Sequence, residues 1–295
     1  MAKVGFVGLG QMGTPMSRNL ARAGHQLSVF DLAADAMDAL VAEGAERRAS
    51  PADAARDAEF VFTMLPVGLI VEQAVFGDDG IAEGISAEAL YIDMSTILPQ
   101  ETIAIGARLA EQGIPMIDAP VGRTSAQADT GTVVFMVGGD DKDIDRARPL
   151  LEIMGEMTIK CGPLGSAAAV KLVNNYITTV SNLTLAEGFA LAQAAGVNLD
   201  ALVEVISNTP AGRGHLQTTW PDKALKDDPS PAFMVDLAHK DLGLALEMAA
   251  SLNVPAATGA AGRQIYSLAR SQGRGGDDWT TGILRTLRAL SGLND

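Results

Sequence analysis

Through the first half of the chain, short apolar runs of strand length alternate with stretches of helical period. The runs KVGFV at 3–7, HQLSVFD at 25–31, EFVFTML at 59–65 and LYID at 90–93 each predict a β-strand. Further strands are predicted at 115–118, 133–137 and 158–161, with helices at 14–23, 32–42 and 140–154 among them. From 165 to 195 the pattern stays helical, long enough to bridge two domains. Beyond that point only helices are predicted, at 199–207, 233–252, 257–272 and 280–293. Strands alternating with helices imply an α/β, Rossmann-type doubly wound sheet, and the helix-only half implies an all-α domain. The boundary is placed so that the domains are 1–162 and 163–295, joined by the long helix.

The turn after the first strand reads Gly8-Leu9-Gly10-Gln11-Met12-Gly13. A G-x-G-x-x-G turn between a strand and a helix allows a tight turn, close approach of a pyrophosphate and tight helix packing. The helix N-terminus then faces the phosphates. An acid, Asp31, ends the next strand, where a carboxylate accepts hydrogen bonds from ribose hydroxyls and repels a 2′-phosphate. Asp31 also suits an N-cap for the helix that follows, and the two roles are compatible. No arginine follows it directly, so the pattern predicts NAD rather than NADP as cofactor. Ligands of such sheets lie outside the carboxyl ends of the strands, so Leu65, Pro66, Ser95 and Thr96 are expected crevice walls.

Two basic residues sit in unusual settings. Arg123 lies in the turn Gly122-Arg123-Thr124-Ser125, where a guanidinium, hydroxyls and backbone N–H groups can meet an anion; a solvated loop arginine is the equal alternative. Lys171 lies in GPLGSAAAVKLVNN (162–175), among alanines, valine and leucine. Asn174 and Asn175 stand three and four residues further on and share its helix face, where apolar groups would be usual. Lys240, in the helical sequence His239-Lys240-Asp241, either reaches the crevice or pairs with nearby acids.

Composition narrows the function. The net charge of −14 is spread along the chain and argues against a nucleic-acid partner. The one cysteine, Cys161, rules out a disulfide within the chain and is expected to be buried. The three histidines are far apart without ligand spacing, so no metal site is predicted. No apolar run reaches membrane-spanning length and the N-terminus lacks a leader pattern, so a cytoplasmic location with no membrane partner is expected.

Taken in order, GFVGLGQMG, DAPVGRTSAQADTGT, GPLGSAAAVKLVNN and DLAHKDLGLAL resemble the β-hydroxyacid dehydrogenase family along essentially the whole chain. The resemblance implies an NAD-binding domain at 1–162 and a helical domain at 163–295 contributing to substrate and to homodimer or homotetramer contacts. It implies Lys171 as the catalytic lysine, Asn174 and Asn175 as its amide partners, and Lys240 near the cofactor, in place of a salt bridge.

Many members carry Ser-Gly-Gly where this chain has Gly122-Arg123-Thr124. The arginine and the PAGRGHLQTTWPDKAL stretch resemble the members that reduce 3-sulfolactaldehyde with NADH. A sulfonate is tetrahedral with three oxygens and needs donors from more directions than a planar carboxylate. The expected substrate is therefore a small anionic aldehyde or its alcohol. The alternatives are a carboxylate semialdehyde (tartronate, succinic or methylmalonate) as substrate, or an NAD(H)-binding regulator without chemistry. Imine reductases usually lack the lysine.

Overall fold

The computed structural model describes residues 1–293; the last two positions of the expected second domain, 294 and 295, lie outside the described residues. Contacts divide the chain into two compact units, Met1–Tyr176 and Ile177–Asp295, so the division falls inside the long helix rather than at its start.

The first unit contains β1 (Lys3–Val7), β2 (Gln26–Phe30), β3 (Glu46–Arg47), β4 (Phe60–Thr63), β5 (Leu90–Asp93), β6 (Met116–Asp118), β7 (Val121–Gly122), β8 (Val133–Gly138) and β9 (Gly155–Gly162). The strands form one sheet in the order β3-β2-β1-β4-β5-β6-β8-β7, with β9 also beside β8. From β3 to β6 every neighbouring pair is parallel, which is the doubly wound order 3-2-1-4-5-6. β8 runs antiparallel to β6 and β7 and parallel to β9. The carboxyl ends of β2, β1, β4, β5 and β6 therefore share one edge, where the candidate cofactor-binding residues lie.

Helices α1 (Gly13–Arg22), α2 (Ala34–Val41), α3 (Pro51–Ala55), α4 (Gly68–Phe76), α5 (Ile81–Gly84), α6 (Pro99–Ala110), α7 (Ser125–Asp129) and α8 (Asp141–Met154) complete this unit up to α9 (Ser166–Ala194). Side chains one residue apart on a strand enter opposite layers. Phe6, Phe62 and Ile92 pack with Met16, Leu20, Leu40 and Leu151 of α1, α2 and α8. Val7, Val61 and Tyr91 pack with Ala54, Val71, Val75, Ile105 and Leu109 of α3, α4 and α6. Two buried faces explain why these strands read as continuous apolar runs instead of alternating.

The second unit holds the rest of α9 with α10 (Leu199–Ser207), α11 (Pro210–Arg213), α12 (Val235–Ser251), α13 (Ala257–Ser271) and α14 (Trp279–Leu290). Buried Asp278 caps α14 by accepting from Thr280 N–H at 3.0 Å and the Thr280 hydroxyl at 2.7 Å. Glu187 of α9 accepts from Thr258 N–H at 2.8 Å and Gly259 N–H at 3.2 Å at the start of α13.

Several boundaries differ from the sequence reading for identifiable reasons. Asp31 does not cap α2, which starts at Ala34 with Ala33 at the cap; its carboxylate accepts the Ala33 N–H at 2.7 Å instead. The last helix stops at Leu290 rather than 293 because Gly292 adopts a φ of +66°, a left-handed helix ending. β9 starts at Gly155, where a Cβ would lie 2.7 Å from the Val133 carbonyl oxygen. The two-residue strands β3 and β7 are too short to leave a periodic signal. Cys161 is partly exposed rather than buried.

Candidate active site

Three glycines shape the turn after β1, and they do so differently. Gly8 has a φ of +98°, and a Cβ there would sit 2.4 Å from the Met64 carbonyl oxygen. At Gly13 a Cβ would sit 2.0 Å from the Gly8 carbonyl oxygen. The fold itself requires both. Gly10 is exposed, and a Cβ there would meet only open space. Its missing side chain serves no internal packing and leaves the turn surface clear for a ligand. Gln11 and Met12 complete the turn, and α1 begins with no side-chain cap and no acid in its first turn. A bare helix start beside a clear glycine turn suits a pyrophosphate. The dinucleotide predicted from sequence therefore fits the residues present.

Asp31 ties this turn to the end of β2. Its Oδ2 accepts the Leu9 N–H at 2.6 Å while its Oδ1 accepts the Ala33 N–H. Each carboxylate oxygen keeps a further lone pair, which a ribose hydroxyl can use. Along the same edge, Leu65 N–H donates to the Ser95 hydroxyl oxygen at 2.9 Å, fixing the β4 exit against the β5 exit. Pro66 and Thr96 stand exposed beside them. Beneath lies a buried network not foreseen from sequence: the Thr63 hydroxyl donates to Asp93 Oδ1 at 2.8 Å, and Ser95 N–H donates to the same oxygen at 3.1 Å. Tyr91 OH lies 2.7 Å from the Thr63 hydroxyl. Burial pushes the Asp93 carboxyl above its ordinary range, and its hydrogen bonds pull the other way.

Asp118, which ends β6, links this edge to Lys171. It is buried, with Oδ1 accepting Gly165 N–H at 2.9 Å and Oδ2 accepting Ala168 N–H at 2.8 Å. A carboxylate clasped by these N–H groups anchors the start of α9 to the sheet. Burial raises its pKa, and the same N–H groups oppose that rise. The only sequence signal was an acid closing an otherwise apolar strand.

Lys171 follows five residues after the start of α9, about 7.5 Å along the axis. It is half-buried, and desolvation pulls its pKa below the usual lysine value. Among the described residues its ammonium has no hydrogen bond or ion pair. Asn174 and Asn175 do not bond to it: Asn174 Nδ2 donates to Asn175 Oδ1 at 3.3 Å. The three polar groups predicted for this helix are present, with the amides paired to each other.

The 122–125 turn is more structured than a loop. Gly122 ends β7 and Ser125 starts α7, leaving Arg123 and Thr124 between them. Arg123 has a φ of +78°, the left-handed region that glycine favours. Its Nη1 donates to the Thr132 carbonyl oxygen at 2.6 Å and its Nη2 pairs with Glu156 Oε1 at 2.5 Å. Glu156 was not singled out from sequence. Thr124 commits its hydroxyl proton to Gln127 Oε1 at 2.7 Å, so it is an acceptor rather than a donor toward any ligand.

Three further residues to place lie in the second unit. Lys240 Nζ is 3.0 Å from Asp241 Oδ1 in an exposed pair. His215 meets the Thr219 hydroxyl at 3.1 Å and the edge of Trp279 at 5.0 Å; burial lowers its pKa. Arg213 is exposed at the end of α11. Among the described residues no group of three or more His, Cys, Asp or Glu side chains can hold a metal ion, and no helix is long and apolar enough to cross a membrane.

Comparison with known proteins defines the family. Residues 3–162 match the NAD binding domain of 6-phosphogluconate dehydrogenase, and residues 165–287 match the domain described as NAD-binding of NADP-dependent 3-hydroxyisobutyrate dehydrogenase. The chain belongs to the 3-hydroxyisobutyrate dehydrogenase-like family of β-hydroxyacid dehydrogenases, NAD-dependent oxidoreductases that act on CH–OH groups. It is 50% identical to the 3-sulfolactaldehyde reductase of Escherichia coli over 99% of this chain and 98% of that one. It is 38% identical to the NAD-dependent L-serine dehydrogenase of Pseudomonas aeruginosa, over 92% of this chain and 94% of that one. Among solved structures, the 3-hydroxyisobutyrate dehydrogenase of Mycobacterium tuberculosis with L-serine matches at a TM-score of 0.68 and 35% identity, over 98% and 99% of the chains.

Proposed function

We propose that this protein reduces 3-sulfolactaldehyde to 2,3-dihydroxypropane-1-sulfonate with NADH, and that Lys171 is the general acid. The observation that carries the substrate is Arg123, a guanidinium set on a left-handed corner of the backbone. Two of its five N–H donors are used by Thr132 and Glu156, which leaves three for a tetrahedral anion. The 50% identity to a 3-sulfolactaldehyde reductase supports the same reading.

Bound NADH supplies the hydride that reduces the aldehyde carbon. As charge grows on the aldehyde oxygen, the Lys171 ammonium donates a hydrogen bond and then its proton to that oxygen, giving the alcohol. Its lowered pKa makes the proton easier to give up, and lets neutral Lys171 take the alcohol proton in the oxidative direction. Asn174 and Asn175, one turn further on, offer amide donors and acceptors to a substrate hydroxyl. Arg123 and the Ser125 hydroxyl hold the sulfonate. Gly8–Gly13, Asp31, Leu65, Pro66 and Thr96 are the cofactor-binding edge, and Lys240 is assigned to the cofactor through the family resemblance.

A homodimer or homotetramer is proposed as well. Val203, Val205, Leu244, Met248, Leu287 and Leu290 are exposed large apolar residues of the second unit, the kind of surface a second copy covers. Light scattering that gives the mass of one chain would remove this part.

The deciding experiment compares NADH oxidation with 3-sulfolactaldehyde, succinic semialdehyde and tartronate semialdehyde. The expected result is the highest kcat/KM with the sulfonate. A higher value with either carboxylate overturns the substrate and leaves a carboxylate semialdehyde reductase, since an arginine also binds carboxylates.

A further inference from the structure

Glu156 occupies an irregular point of the sheet. β8 and β9 pair with Val133 opposite Gly155 and Val134 opposite Met157, so Glu156 is the extra residue of a β-bulge. A bulge turns a side chain away from the direction the regular pleat would give it. β7 pairs with the other edge of β8, with Gly122 opposite Val134. Arg123, Thr132 and Glu156 thus come from the matching ends of three adjacent strands and meet at the guanidinium.

We propose that Glu156 is a positioning residue that aims Arg123 at the anionic headgroup of the substrate, so that it sets specificity without touching the substrate. The proposal deepens the reading of Arg123 given above and rests on it. Stability does not explain the arrangement. Arg123 and Glu156 are 39% and 44% exposed, and pairs so open to water add little to stability. Left-handed backbone at a non-glycine residue is strained by its Cβ. Two local distortions, a left-handed arginine and a bulged glutamate, converge on a contact too weak to offset them. What the contact does accomplish is geometric. The Thr132 carbonyl and the Glu156 carboxylate each take one donor from a different Nη, which fixes the guanidinium plane. Nε–H and one N–H on each Nη are left in known directions.

The opposite role is equally clear in its consequences. If Glu156 merely competed with the substrate for Arg123, removing it would strengthen anion binding. Positioning predicts weaker binding. Glu156→Ala and Glu156→Gln are made in the full-length protein and assayed with NADH against the anionic aldehyde that the wild type reduces best and against neutral glyceraldehyde. Glu156→Ala is expected to raise KM for the anion roughly tenfold, with kcat and the glyceraldehyde KM unchanged. Glu156→Gln, which still accepts from the guanidinium, is expected to recover part of the loss. In an Arg123→Ala background the Glu156→Ala change is expected to have no further effect on KM. An unchanged or lower anion KM in Glu156→Ala, or an equal change for both aldehydes, overturns the proposal. Using whichever anion the wild type prefers separates this outcome from the choice between sulfonate and carboxylate.

Discussion

Lys171 and Arg123 are treated in opposite ways by the same unit. Lys171 is half-buried, without a hydrogen bond or ion pair among the described residues, and shifted toward neutrality. Arg123 is exposed, doubly hydrogen-bonded and paired with a carboxylate. An ammonium with no anion to hold it and part of its hydration removed gives up a proton more easily than one in water. A guanidinium never loses its proton in a protein, so its use is to stay charged and stay aimed. The difference suits the roles proposed for them, proton transfer for one cation and recognition for the other, and mutation can test each separately.

The largest expected effect is on Lys171. Lys171→Ala should lower kcat by roughly 10²–10⁴-fold while NADH affinity, measured by fluorescence titration, stays at the wild-type value. Lys171→Arg keeps the charge but holds its protons too tightly to give one up to the substrate, and should be nearly as slow. If it retained wild-type kcat, the role of Lys171 would be electrostatic only.

Arg123→Ala should act on the other parameter. Loss of charge-assisted bonds to the headgroup should raise KM for the anionic aldehyde about a hundredfold, with kcat and the KM for glyceraldehyde little changed. A parallel rise for the neutral aldehyde would mean that the corner shapes the site as a whole and does not read charge.

The pH dependence sharpens the contrast. Reduction needs the Lys171 ammonium, so its rate should fall as pH rises through the lysine's lowered pKa. Oxidation needs the neutral amine, so its rate should rise over the same interval. Each limb should approach about tenfold per pH unit and should be lost in Lys171→Ala. Arg123→Ala should keep both limbs in place, since the guanidinium does not titrate there.

These roles were not equally legible in the sequence. The alternation of strands and helices was readable, and the glycine turn, Asp31 and Lys171 could be singled out as candidates, because each follows a local rule of spacing or periodicity. Asp118 and Glu156 were not, because their partners lie far along the chain: Asp118 holds Gly165 and Ala168, and Glu156 holds Arg123. A bulge of one residue and two-residue strands such as β7 leave no period to detect. The pairing of Asn174 with Asn175 instead of Lys171 was also hidden, because helix spacing places residues on a face without choosing their rotamers. Nor did spacing show that Gly10, unlike Gly8 and Gly13, is free of packing duties.

The smallest expected effect bears on why an arginine sits in a glycine position at all. With a φ of +78°, both Arg123 and an alanine in its place carry backbone strain, whereas glycine does not. Arg123→Gly should therefore be more stable to urea than Arg123→Ala by about 1 kcal/mol, although both lose the Glu156 pair and the Thr132 bond. Both variants should show the same raised KM for the anion. Stability would then follow the backbone and recognition would follow the side chain, two quantities that respond to different atoms of one residue. Equal stabilities for the two variants would mean that the corner leaves the left-handed region once the guanidinium is gone. In that case the contacts with Thr132 and Glu156 hold the backbone in place, and the strain at Arg123 depends on its side chain.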